Sequence, residues 1–143
     1  MDNAERAVQQ FMEGFRCSQV VLEAFCEENG LTNELARKIS LGLAGGAGCR
    51  GECGAVEGAY LVNGLRYGFS HPGDPENFQK LIGKNQEFAT EFAKLHGSLN
   101  CFELLGVDIF SEEGLATFKE KEMKKQICAK LVGNAVRILE QIE

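Results

Sequence analysis

The stretch Gly42–Gly68 reads G-L-A-G-G-A-G-C-R-G-E-C-G-A-V-E-G-A-Y-L-V-N-G-L-R-Y-G. Six glycines fall from Gly42 to Gly54, with Cys49 and Cys53 among them. Glycine at this density lets a backbone turn sharply or approach another group closely. Behind it Ala55, Ala59, Val62 and Leu65 recur at three- and four-residue spacing, which predicts a helix. Cys53 is therefore expected at the start of that helix, exposed from a glycine loop. Unpaired N–H groups and the helix dipole favour a thiolate at such a position.

Upstream, residues 3–15 predict a helix with Ala4, Ala7, Val8, Phe11, Met12 and Phe15 on one side. Ser18 is the expected cap of a second helix running to Asn29, with Gly30 closing it. Thr32 or Asn33 opens a third, through about Leu43, carrying Leu35, Ala36 and Ile39. Downstream, the turn-rich Ser70–Pro75 supplies Asp74 and Pro75 as a helix start. The helix from Pro75 to His96 carries an apolar stripe of Phe78, Leu81, Ile82, Phe88, Phe92 and Leu95. A short stretch from Cys101 to Gly106, a helix opened by Ser111 and a last helix over about 127–142 complete the chain. The β-branched runs show no strict alternation, so no strand is expected. The reading is an all-α bundle of six or seven helices, one domain over residues 1–143.

The totals narrow the function. A net charge of −6 and no basic stripe argue against nucleic acid. No apolar run is long enough to span a bilayer, and the opening M-D-N-A-E-R is too acidic and polar for a secretory signal. A cytoplasmic location is the expectation. Six cysteines in a reducing compartment point to metal or redox chemistry more than to a disulfide framework.

Cys17, Cys53, Cys101 and Cys128 all fall near predicted helix starts, whereas Cys26 lies mid-helix beside Phe25 as a small apolar residue would. Cys49, four positions before Cys53, is an additional candidate for the site. The chain has no C-x-x-C, and hence neither the thioredoxin-type pair, the zinc-ribbon pair nor the C-x-x-C-H of attached haem. No G-x-x-x-x-G-K-[ST] occurs, so the glycine loop is not expected to bind nucleotide.

These residues resemble the C-GCAxxG-C-C family, named for redox activity. Cys53-Gly54-Ala55-Val56-Glu57-Gly58 stands in the place of its central motif. Cys17-Ser18-Gln19-Val20-Val21-Leu22 matches its upstream cysteine, and Cys101 and Cys128 its two downstream ones. Cys26 and Cys49 lie outside the pattern. The resemblance implies a redox role for the four matched thiols and no defined substrate.

Four converging thiolates would repel one another unless a cation joined them. Thiolate donors suit an iron–sulphur cluster or zinc, and four cysteines fit a [2Fe–2S] or [4Fe–4S] cluster directly. Thiol–disulfide exchange led by Cys53 competes with this. A helical interaction domain, with or without a structural zinc, is the non-redox alternative. A redox partner protein and a homodimer are further expectations. Arg50 is a candidate to stabilise a thiolate. Glu52, Glu57 and the lysines 119, 121, 124 and 125 read as solvated charges. His71 reads as exposed, and His96 as a partly cationic helix-end residue.

Overall fold

The computed structural model describes all residues, Met1–Glu143. It is all-helical, with eight α-helices. They are α1 (Asn3–Met12), α2 (Cys17–Cys26), α3 (Asn33–Leu41), α4 (Gly54–Tyr67), α5 (Pro75–His96), α6 (Cys101–Leu105), α7 (Glu112–Glu120) and α8 (Ala129–Gln141). The count exceeds the expected six or seven because the short stretch after Cys101 is itself a helix. Short 3₁₀ turns cover Glu27–Asn29 and Ala44–Gly48, and a π-helical segment, Lys124–Cys128, runs straight into α8. The only strand-like pairing is an isolated bridge between Glu52 and Asn100. No helix is long and apolar enough to cross a membrane.

Most helix starts follow the capping chemistry of the sequence. Asp2, Thr32, Asp74, Asn100 and Ser111 each accept from a backbone N–H in the first turn of their helix. The second helix departs from expectation. Arg16, not Ser18, is its cap, and Cys17 is its first residue. The Ser18 hydroxyl is fully buried and donates to the Ser40 carbonyl at 2.7 Å, tying α2 to α3.

The core is built around α2, α4 and α8, with α1 packed on α8, α3 on α2 and α5 on both α4 and α8. Val20, Val21, Leu22, Val56, Val62, Val132 and Leu139 meet there, with Phe88 and Phe92 from α5. The expected α5 stripe is only partly inward: Phe78 and Leu95 are exposed. On α3, Ala36 is buried whereas Leu35 and Ile39 face out.

Candidate redox centre

The glycine loop is built as a left-handed turn. Gly45, Gly46, Ala47 and Gly48 all have positive φ, between 59° and 72°. Each L-residue held this way costs roughly 1–2 kcal/mol. Three glycines remove that penalty and leave it at Ala47, and at Arg50 two residues past the turn, with φ 57°. The Gly46 carbonyl then accepts from Cys49 N at 3.0 Å and Gly51 N at 2.9 Å, closing the loop on itself.

From this loop the chain clips onto the segment before α6. Cys53 N donates to the Leu99 carbonyl at 2.7 Å and Cys101 N to the Gly51 carbonyl at 3.2 Å. The Asn100 side-chain amide donates to the Arg50 carbonyl at 2.7 Å. This clip holds Cys53 and Cys101 beside each other although 48 positions separate them in the sequence.

Cys53 caps α4, and the glycines that follow let α4 meet α2 at close range. A Cβ on Gly54 would strike the Cys17 sulphur and lie 3.1 Å from Ala44 Cα. One on Gly58, a helical turn later, would lie 2.9 Å from the Ser18 carbonyl oxygen and 3.2 Å from Val21 Cβ. The C-G-A-x-x-G spacing is thus a packing device. It brings the start of α2, with Cys17, onto the start of α4, with Cys53.

Cys128 comes from the segment that leads into α8. It was expected at the opening of the last helix, among unpaired N–H groups. Instead it ends the π-helical segment and continues into α8 with helical backbone angles, so it has no free helix terminus. A π segment inserts an extra residue per turn and turns the following side chains relative to an α-helix.

Cys17, Cys53, Cys101 and Cys128 line one cavity of about 440 Å³. All six cysteines are unpaired. Cys26 is buried elsewhere, its thiol 3.1 Å from Asn33 Oδ1, and Cys49 is exposed and does not line the cavity. The remaining cavity walls are apolar, including Phe11, Phe15, Leu104, Ile109, Phe118 and Leu131, apart from Gly45, Gly54, Arg16 and Lys124. No aspartate, glutamate or histidine lines it. The reading of the chain as a sequence missed both cations, although Arg16 adjoins Cys17 and Lys124 precedes Cys128 by one helical turn. Lys124 is half-buried rather than fully solvated, its ammonium 5.1 Å from the centre of the Phe11 ring.

The expected thiolate at Cys53 is overturned by burial, which exceeds the helix-start effect. Cys53 is 5% exposed, and desolvation, then the neighbouring Cys17, push its thiol well above the ordinary value. Burial raises Cys17 too, against the backbone N–H groups of Gly45, Ser18 and Gly54 that favour its charged form. Burial and then Cys17 lift Cys101 to about 11, with Asp108 adding to the shift. Cys128 rises to about 12 through burial, Cys17 and Cys101, opposed by Lys124. Cys17 is thus the shared electrostatic neighbour of the other three.

Other candidates fall away from the centre. Arg50 pairs with Asp108 at 3.6 Å and lies 4.3 Å over the Phe102 ring, not on a cavity thiol. His96 packs on Phe92 and lies 3.2 Å from the Asn134 amide. Burial lowers its pKa, so the expected cationic ring is disfavoured. Glu52 and Glu57 are half-buried rather than solvent-facing, and one Glu52 carboxylate oxygen is buried without a hydrogen-bond partner.

The donor set suits an iron–sulphur cluster in kind: four thiols, no competing carboxylate, and a cavity between them. No three His, Cys, Asp or Glu side chains are grouped closely enough to hold a single metal ion.

A family model described as "putative redox-active protein (C_GCAxxG_C_C)" matches residues 15–142. No curated protein and no solved structure matches the chain.

Proposed function

We propose, from the premise that this chain belongs to the C_GCAxxG_C_C redox-active family, that its four motif cysteines form one electron-transfer centre holding an iron–sulphur cluster. One observation carries the reading: Cys17, Cys53, Cys101 and Cys128 line the same cavity, and the two cysteines outside the motif do not. When bound, such a group supplies reversible one-electron chemistry and the positive charge that four thiolates require. The chain's own residues do the rest. The left-handed glycine turn and α4 aim backbone N–H groups of Gly45 and Gly54 at the Cys17 sulphur, and those of Ala55 and Val56 at Cys53. Hydrogen bonds to ligating sulphur are one of the means by which a protein sets a reduction potential. The apolar walls lower the dielectric around the sulphurs, most of all at Cys53, which is 5% exposed.

Serine substitution tests the assignment. Cys17→Ser, Cys53→Ser, Cys101→Ser and Cys128→Ser are each expected to lower bound iron in anaerobically prepared protein. Cys26→Ser and Cys49→Ser are expected to leave it unchanged. Equal iron in all six variants would refute the centre.

A second reading, thiol–disulfide exchange, draws on the position of Cys17 as the neighbour of the other three thiols. Cys17 and Cys53 would close one S–S bond, giving two electrons and two protons to an external disulfide that leaves as two thiols. A count of free thiols before and after reductant separates the two: exchange predicts a gain of two on reduction.

A further inference from the structure

We infer that the four-cysteine cavity also admits an amphiphilic organic anion, its acid group held by Arg16 and Lys124 and its apolar body against Phe11, Leu115 and Phe118. This names the class of small molecule that would meet the redox centre, and to that extent it rests on the reading above.

Three observations converge on it. First, a cavity of about 440 Å³ falls within the roughly 300–1,000 Å³ of small-molecule sites. Its apolar side reaches past the sulphurs to Phe110 and Leu115, which are 63% and 38% exposed, so the cavity opens to solvent on an apolar lip.

Second, the lining charges have one sign. Of its 19 lining residues 15 are hydrophobic, and the other four are Arg16, Lys124, Gly45 and Gly54. The chain carries 21 acidic residues against 15 Lys and Arg, yet the cavity wall holds two cations and no acid.

Third, no carboxylate pairs with either cation, the exposed Arg16 or the half-buried Lys124. Neither Arg16 nor Lys124 makes an ion pair, whereas Arg37, Arg50 and Arg66 each face a carboxylate. The Lys124 ammonium lies over the Phe11 ring, at the junction of the charged and apolar parts of the wall. A molecule with one anionic end and an apolar body satisfies both parts. A fully polar anion would leave the phenyl and leucyl wall uncovered, and a neutral hydrocarbon would leave the cations unanswered.

Decanoate is the probe, titrated calorimetrically into the full chain purified without oxygen, with decanamide as its uncharged counterpart. Decanoate is expected to bind at one site per chain. The R16Q/K124Q double variant is expected to weaken it by about tenfold or more while leaving decanamide unchanged. K80Q/K130Q, two exposed lysines outside the cavity walls, is expected to change nothing. Absence of decanoate binding, indifference to R16Q/K124Q, or an equal loss in K80Q/K130Q would overturn the inference. Iron and sulphide measured on the same sample keep the two readings apart. Colourless protein that binds decanoate refutes the cluster alone, and iron-loaded protein that binds none refutes the organic anion alone.

Discussion

Gly54 shows how much a single missing side chain does here. It stands where any Cβ would collide with the Cys17 sulphur and press on Ala44. The Ala44 backbone cannot give easily, whereas the Cys17 side chain, which borders the cavity, can only turn away from the clash. Gly54→Ala is therefore expected to destabilise the fold by about 1–3 kcal/mol, as overpacking does. It should also displace Cys17 from the cavity. A lowered urea midpoint at unchanged slope, with reduced bound iron, is the predicted result. The cysteines themselves predict a pH effect in the metal-free protein. Cys128 titrates at about 12 in the folded chain against 9.0 as an ordinary thiol. The folded state thus holds the proton more tightly, and the stability from this neutral thiol is complete below 9 and drains as pH rises towards 12. Urea midpoints should fall between about pH 8 and about pH 10.5, and fall less in Cys128→Ala. A midpoint flat in pH would contradict the burial argument. The position of Cys53 at a helix start was legible in its glycines and the periodicity that follows. Its burial was not, because the sequence does not say that α2 will seat Cys17 beside it and Ser18 against Gly58.

At the scale of elements, the helices and their caps were legible wherever a short-range rule governs. Asp74 with Pro75, Thr32 and Ser111 open helices because their side chains accept orphan N–H groups locally. The π-helical segment was not legible, since periodicity over Ile127, Leu131, Val132 and Ala135 fits a continuous α-helix equally well. It is what aims Cys128. Deleting the exposed Gln126 would remove the extra residue of the wide turn and let the segment wind as α-helix. The side chains before it would then rotate by about 100° relative to Cys128 and α8. Circular dichroism is predicted to keep its helical signal, while Lys124 and Cys128 no longer share the cavity and bound iron drops. Unaltered iron in that deletion would show that the π geometry is incidental. The α5 stripe is inward only in part: Phe88 and Phe92 are fully buried, whereas Phe78 and Leu95 are exposed although α8 still reaches His96 through Asn134.

For the molecule as a whole, three connections bring distant cysteines together: the close crossing of α2 on α4, the clip between residues 50–53 and 98–101, and the run of the π segment into α8. The sequence named these four cysteines through their motif and helix-start positions, yet spacing alone could not place them in one cavity or show its cationic, acid-free wall. That wall is a property of Arg16 and Lys124 from separate elements, each unremarkable in its own segment. The expected homodimer predicts a particle of twice 15.7 kDa in size-exclusion light scattering, and a particle of 15.7 kDa removes it. The most direct test of the shared centre is a visible absorption spectrum of protein purified without oxygen, with iron and sulphide analysis on the same sample. The account predicts brown protein with near-stoichiometric iron that bleaches on reduction. Colourless, iron-free protein with all six thiols titratable would contradict it.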